Sequence, residues 1–111
     1  MSTATSGRAR EHRVRDHLTK RGWYFIMRAA ASKGAADLLL GHPQHGGALI
    51  QVGTTNKRLG PADRERLCTA AELIGALALL ATSGPGIGTR FWLVTRDVPS
   101  KWEPFDIEGT P

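Results

Sequence analysis

Cysteine is nearly absent from this sequence, which contains one residue of that type, Cys68, among 111. A single thiol excludes an internal disulfide and a zinc site built from several cysteines of the chain. No apolar run approaches the roughly 18 residues that a membrane-spanning helix requires, and the first ten residues lack the apolar core of a signal peptide. We therefore expect a cytoplasmic protein that has no contact with a membrane.

Aromatic residues are also few, at 6% of the chain, which argues against a surface that binds single-stranded nucleic acid by stacking. Hydrophobic residues at 41% and charged residues at 23% are typical of a globular protein. We expect a single domain over residues 1–96 and an irregular tail over residues 97–111, which holds three of the six prolines. Trp102 or Phe105 of that tail is expected to pack on the domain or on a partner.

Negative charge is scarce relative to positive charge, and the net charge is +5. The imbalance is concentrated in one segment, where two acidic residues stand against six basic ones: Arg8, Arg10, Arg13, Arg15, Lys20 and Arg21. Such a surface favours polyanions, nucleic acid first, because the guanidinium group of arginine matches phosphate geometry. The alternative is a solvated helix face that serves only solubility.

The order of apolar runs and turn residues predicts a mixed α/β fold. A first helix begins at a Ser6 cap, covers residues 8–21 and ends at Gly22. A second helix has Pro61 in its first turn, an inward stripe of Leu67, Ala71 and Ile74, and its end at Gly75. Strands are predicted at residues 23–28, 37–41, 47–53, 77–82 and 90–96. The predicted order is α-β-β-β-α-β-β.

Three polar residues of these elements have the layout of a site for a hard metal ion. Glu11 lies on the inward stripe of the first helix, Asp37 opens one strand and Gln51 lies in the next. Carboxylate and amide oxygens suit Mg²⁺ or Mn²⁺, and Mg²⁺ usually binds through one or two carboxylates together with substrate phosphate. Such an ion polarises a phosphodiester and activates a water molecule.

A longer ordered set resembles the PD-(D/E)xK nuclease superfamily, and most closely the archaeal-type Holliday junction resolvases and their phage and bacterial relatives. That family has a helix Glu, an Arg closing the first strand, a Ser in a glycine-containing loop, an Asp opening the second strand, and Glu-x-Lys in the third. The corresponding residues here, within roughly Gly7 to Thr82, are Glu11, Arg28, Ser32 with Gly34, Asp37, and Gln51-Val52-Gly53. The resemblance implies a restriction-endonuclease-like mixed β-sheet flanked by helices.

The third strand departs from the family pattern at two positions. Gln51 replaces the Glu, which keeps an oxygen ligand but removes a charge. Gly53 replaces the Lys that in the family orients or activates the attacking water, and losing such a group costs about 10²–10⁴ in rate. Either Lys33 or Lys57 substitutes for it, or both are surface or phosphate-contact lysines.

What the resemblance implies is a Mg²⁺- or Mn²⁺-dependent endonuclease, acting as a homodimer on Holliday junctions or other branched or duplex DNA. Its catalytic metal ligands are Glu11, Asp37 and Gln51. Trp92, Trp102 and Phe105 are expected to contribute to the dimer interface. The expected DNA contacts are Arg8, Arg10, Arg13, Arg28, Ser32, Lys33 and Lys57.

Other interpretations of the same residues stay open at the level of sequence. Glu11 has Arg15 one helical turn away, Arg28 has Asp37 as a possible ion-pair partner, and Gln51 has a structural role available in a buried strand. Asp37 is equally suited to cap its strand or to accept backbone hydrogen bonds from the loop over residues 32–35. The protein is then a nuclease-fold relative that binds DNA without cutting, or a protein-interaction module whose basic charge is incidental.

Overall fold

The computed structural model describes residues 3–28, 36–54, 59–84 and 88–108. Within them the chain forms α1, β1, β2, β3, α2, β4, β5 and β6 in that order, with a short 3-10 turn before β6. The predicted α/β class and order of elements are confirmed, and β6 is an addition to them. The bounds are Thr3–Thr19 for α1, Tyr24–Arg28 for β1, Leu38–His42 for β2, Gly46–Thr54 for β3, Pro61–Ile74 for α2, Leu77–Gly84 for β4, Gly88–Leu93 for β5 and Glu103–Pro104 for β6.

The strands form one six-stranded sheet in which spatial order follows chain order, β1-β2-β3-β4-β5-β6. Only β3 and β4 are parallel, and the other neighbours are antiparallel. A parallel pair needs a crossover connection, which α2 supplies. The sheet is therefore mixed, as predicted.

The two helices cover opposite faces of this sheet. Ile50 of β3 is fully buried in a core that contains Val14 and Leu18 of α1. Leu49, the residue before it, packs against a second core that contains Leu67 of α2. Successive side chains of a strand point to opposite faces, so α1 lies on one side and α2 on the other.

Helix α1 ends where the sequence predicts, but begins earlier. Its start at Thr3 places Ser6 inside the helix, so the predicted cap at Ser6 is wrong. At the other end Gly22 has a φ of +92°, and the amide of Trp23 donates to the carbonyl of Leu18 at 3.1 Å. This is the helix-ending motif in which glycine adopts the left-handed conformation.

Helix α2 has Pro61 in its first turn and ends at Gly75, whose φ is +67°. Leu67 and Ala71 are buried as predicted, but Ile74 is 58% exposed because it lies in the last turn, where the chain leaves the helix. Among the described residues, neither helix combines the length and apolar character needed to cross a membrane.

The segment after Asp97 belongs to the sheet and to both cores. A 3-10 turn at Pro99–Lys101 leads into β6, which pairs with β5. Trp102 is 7% exposed and lies in the core beneath α2, whereas Ile107 lies in the core beneath α1. The described part of this segment is therefore not the irregular tail that the sequence predicted.

Two long-range hydrogen bonds hold this segment in place. The indole N–H of Trp23 donates to the carbonyl of Ile107 at 3.2 Å. The amide of Phe105 donates to the carbonyl of Phe91 at 2.8 Å. The first bond joins the end of the described chain to Trp23, which lies between α1 and β1. The second bond joins it to β5.

Candidate nucleic-acid interface and metal site

A pocket of about 320 Å³ lies between α1 and the first two strands. The helix contributes residues three or four positions apart, which share one face of a helix. Strands β1 and β2 contribute the opposite wall. The residues that line this α1/β1 pocket are Arg8, Glu11, His12, Arg15, Phe25, Arg28 and Leu38.

Positive charge dominates the α1/β1 pocket, with three guanidinium groups against one carboxylate. Arg15 lies over the ring of Phe25, with its Cζ 5.2 Å from the ring centroid. The Nη2 of Arg15 is 2.7 Å from Nδ1 of His12, whose Nε2 is 3.5 Å from a carboxylate oxygen of Asp16. These contacts hold a cation in the pocket wall, where it attracts anions.

Glu11 and Arg28 form the shortest link between the two walls of the pocket. The Nε of Arg28 donates to Oε1 of Glu11 at 2.7 Å, and the side chains are 37% and 18% exposed respectively. Helix α1 presents Glu11 on the same stripe as buried Val14, and Arg28 closes β1. The alternative pairings of Glu11 with Arg15 and of Arg28 with Asp37 are therefore wrong.

Asp37 extends the ladder between β2 and β3 by one position. Its amide donates to the carbonyl of Ile50 at 2.9 Å, and its Oδ2 accepts the amide of Val52 at 2.8 Å. The half-buried carboxylate thus lies beside Gln51, the residue between those two. Asp37 thus accepts a backbone hydrogen bond from β3. The donors that the sequence suggested, in the loop over residues 32–35, lie outside the described residues.

Gln51 and Gly53 occupy the positions of the altered motif in β3. Both Ile50 and Val52 belong to the core beneath α1, so strand alternation directs Gln51 to the opposite face of the sheet. Gly53 is buried and pairs in parallel register with Thr82 of β4. No side chain projects from the position that holds lysine in the PD-(D/E)xK pattern.

Strand register brings the predicted site residues to one end of the sheet. Arg28 pairs with Leu38, and Leu38 pairs with Ile50. Adjacent strands are about 4.8 Å apart, so the ends of β1 to β3 form a compact row. Asp37 and Gln51 each lie one residue from this row, and Arg28 is part of it.

Oxygen atoms of Asp37 and Gln51 are the candidate ligands for a hard metal ion at this end of the sheet. The described residues include no group of three or more His, Cys, Asp or Glu side chains that could hold an ion together. Asp37 uses only Oδ2 for the amide of Val52, and Gln51 adds an amide oxygen beside it. One carboxylate, one amide oxygen and substrate phosphate together fit the coordination of Mg²⁺. The Oε1 of Glu11 contacts Arg28 instead.

Other predicted contacts lie elsewhere. Arg10 is half-buried and Arg13 is exposed, and neither lines the α1/β1 pocket. Ser32, Lys33 and Lys57 lie outside the residues that the structure describes.

Sequence reasoning did not include His12 and Arg15 among the DNA contacts, although their spacing from Arg8 offered a signal. The positions 8, 12 and 15 advance by one helical turn each, which places the three side chains on one face of α1.

A mixed sheet between two helices, with acidic and basic residues gathered at one end, is the restriction-endonuclease-like α/β fold. Among solved structures the chain is similar to Hjc, a Holliday junction resolvase from the archaeal hyperthermophile Archaeoglobus fulgidus, with a TM-score of 0.68 and 27% sequence identity. The match covers 78% of this chain and 70% of that chain. No protein-family model and no curated protein matches this sequence. The predicted fold class is confirmed.

Proposed function

We propose that this protein binds branched or duplex DNA and cuts it with the help of a divalent metal ion, as a resolvase-like endonuclease. The observation that carries the proposal is the basic α1/β1 pocket at the sheet end that also holds Asp37 and Gln51. The similarity to Hjc supports DNA as the polyanion. A DNA backbone bound in this pocket then passes the end of the sheet where the proposed metal ligands lie.

Phosphate contacts are proposed for Arg8, Arg15 and Arg28, which line the pocket. Each guanidinium neutralises a phosphate and releases counterions, so affinity is expected to fall steeply with salt. Arg10 and Arg13 extend the basic surface along α1. Ser32, Lys33 and Lys57 remain proposed contacts from the sequence alone.

Asp37 and Gln51 are the protein ligands that we propose for Mg²⁺ or Mn²⁺. When bound, such an ion supplies a Lewis acid for the phosphodiester and an activated water molecule. The amide of Val52 donates to Oδ2 of Asp37 and so fixes the orientation of this proposed ligand. Glu11, the third predicted ligand, contacts Arg28 instead.

A homodimer is proposed as well, since symmetric cutting of two strands needs two sites related by a two-fold axis. Trp102 cannot contribute as predicted because it is buried within the chain, and Trp92 and Phe105 are half-buried. Tyr24 and Met27 of edge strand β1 are 76% and 56% exposed, so they are better candidates for the interface.

A second candidate function, binding of DNA without cutting, is favoured by Gly53. Lysine is absent from that position, and Gln51 lacks the charge of the Glu that the family carries there. Restoring both groups, as Gln51→Glu with Gly53→Lys, is then expected to create cutting where the natural chain has none.

The experiment combines binding and cleavage on a labelled four-way junction and a linear duplex of matching sequence. Binding is measured by gel shift in Ca²⁺, and cleavage is measured in Mg²⁺, Mn²⁺ or EDTA. Paired nicks in the junction that require metal and disappear in Asp37→Asn support the endonuclease. Tight binding without nicks supports the second candidate, and cleavage that survives Asp37→Asn contradicts the proposed site. Weak binding to both DNAs that does not change on loss of Arg8 supports a protein-interaction module.

A further inference from the structure

We propose that Glu11 is a positioning residue that aims Arg28 at a phosphate group, and not a metal ligand. The α1/β1 pocket is then a phosphate-binding site assembled from Arg8, Arg15 and Arg28. The inference deepens the proposed DNA-binding function and rests on it for the source of the phosphate. The ligand chemistry is a phosphodiester of the backbone or a terminal phosphate.

The contact between Glu11 and Arg28 uses one edge of the guanidinium only. Nε donates to Glu11, and the described residues offer no hydrogen-bond partner to Nη1 or Nη2. A guanidinium held through Nε still presents both terminal amino groups, and this pair of donors matches two oxygens of a phosphate. The carboxylate fixes the long side chain in one orientation, so less conformational freedom is lost when phosphate binds.

A second guanidinium of the pocket is also fixed in advance. Arg15 lies over the ring of Phe25 and contacts His12, which in turn approaches Asp16. Arg8, one helical turn before His12, is exposed at the same wall. Three cations around about 320 Å³ leave room for a phosphate group and its flanking sugars.

The position of Glu11 argues against metal binding by this residue. Its carboxylate is on the α1 side of the sheet, whereas Gln51 is directed to the α2 side. Turning Glu11 towards a metal would leave Arg28 without its partner and would bring a divalent cation close to three guanidinium groups, which repel it. Asp37 and Gln51 therefore form the metal site without Glu11.

If Glu11 positions Arg28, removing the Glu11 carboxylate should weaken DNA binding, whereas simple electrostatics predicts stronger binding. A carboxylate about 8 Å from a phosphate in water repels it weakly, so removing that charge should raise DNA affinity about twofold if nothing else changes. Loss of the positioning contact should instead lower it, about tenfold for Glu11→Ala. Glu11→Gln keeps an oxygen that accepts the Nε hydrogen bond, so its affinity should lie between the wild type and Glu11→Ala.

The experiment measures junction affinity in EDTA for the full chain, with Glu11→Ala, Glu11→Gln and the control Glu103→Ala, which removes an exposed carboxylate from β6. Mn²⁺ affinity without DNA is measured in the same proteins. The expected result is weaker DNA binding for Glu11→Ala, partial rescue by Glu11→Gln and unchanged Mn²⁺ affinity in both. Equal or tighter DNA binding by Glu11→Ala, or a loss of Mn²⁺ affinity in either variant, overturns the inference.

A further readout separates this inference from the proposed function. If the wild type binds no DNA, the proposed function fails, and the pocket is tested by titrating inorganic phosphate while the Arg28 Nε–H signal is followed by NMR. Saturable shifts in the wild type that are lost in Glu11→Ala support the phosphate pocket. The absence of shifts, or shifts that persist in Glu11→Ala, overturns it.

Discussion

At the scale of single residues, Asp37 combines a structural contact with the proposed metal site. Its Oδ2 accepts the amide of Val52, which is buried in β3. Asp37→Ala leaves that amide without its partner and is expected to lower the free energy of unfolding by about 1–3 kcal/mol. Asp37→Asn retains an acceptor oxygen, so it should lower stability less while still abolishing the proposed metal-dependent cleavage.

Urea denaturation and the junction cleavage assay, applied to both variants, separate the two roles of Asp37. Equal stability of Asp37→Ala and the wild type would show that the bond to Val52 contributes nothing. Unequal stability with intact cleavage would leave Asp37 with a structural role only.

His17 gives the fold a dependence on pH. Burial lowers the pKa of His17 below 6.5, the neighbouring Arg21 lowers it further, and Glu108 opposes both. The unfolded chain therefore binds a proton at this site more readily than the folded chain. Stability is fully present above the unfolded pKa of 6.5 and is lost as pH falls through it towards the folded pKa.

The expected result is a free energy of unfolding that decreases from about pH 7.5 to about pH 5.5, and a smaller decrease in His17→Gln. Denaturation curves at several pH values measure it. His12→Gln is the matched control, because His12 lies on the same helix and its side chain is 59% exposed. A steeper pH dependence in His17→Gln than in the wild type would contradict the argument.

The partner of Glu11 was beyond sequence reasoning for a physical reason. Helical spacing makes Arg15 a neighbour of Glu11, and nothing in that spacing records that β1 brings Arg28 to the same face. Arg15 is held instead by the ring of Phe25, which is another contact across elements. The types of the site residues were predictable, but their pairing depends on how α1 packs against the sheet.

At the scale of elements, α2 has a glycine at each end, and the two glycines adopt backbone φ angles of opposite sign. Gly60 at the start has a φ of −68°, open space around a Cβ and no side-chain cap. Gly75 at the end has a φ of +67°, which residues with a Cβ adopt at a cost. Serine is therefore expected to stabilise the first position and to destabilise the second.

Gly60→Ser is expected to raise the free energy of unfolding by about 0.5–1 kcal/mol, because serine caps the helix and reduces the conformational freedom of the unfolded chain. Gly75→Ser should lower the free energy of unfolding by about 1–2 kcal/mol. Each variant is the control for the other, since both change glycine to serine at an end of one helix. Shifts of the same sign in thermal denaturation would contradict the backbone argument.

Elements were predictable where a long pattern specifies them. Strands β2 to β4 are apolar runs, and Gly22 and Gly75 end the helices as positive-φ residues. Strand β6 was not predictable, because it is only two residues long and includes Pro104, which strands disfavour. Its place depends on pairing with β5 and on the burial of its neighbours, and a local pattern contains neither.

At the scale of the whole molecule, the segment after Asp97 closes both cores. The Cα radius of gyration is 13.0 Å, close to the roughly 13 Å expected of a compact domain of 100 residues. Trp102 on the α2 side and Ile107 on the α1 side are both nearly inaccessible to solvent. Residues of this segment thus contribute to the cores on both sides of the sheet.

Trp102 joins this segment to the core beneath α2. It is 7% exposed, packs in the core with Leu67 and Cys68 of α2, and donates its indole N–H to the carbonyl of Asp97 at 3.1 Å. Trp102→Ala is expected to lower the free energy of unfolding by about 3–5 kcal/mol. Val98→Ala, at a side chain that is 50% exposed, is the matched control and should change little.

A loss of that size is a large part of the roughly 5–15 kcal/mol that stabilises a typical domain, so DNA binding should fall together with folding in Trp102→Ala. Urea denaturation followed by circular dichroism measures the stability, and gel shift measures the binding. Trp102→Phe should recover part of both, because an aromatic ring refills most of the space. If Trp102→Ala matched Val98→Ala in stability, the core beneath α2 would not depend on the chain after Asp97, and the domain would end near residue 96, as the sequence predicted.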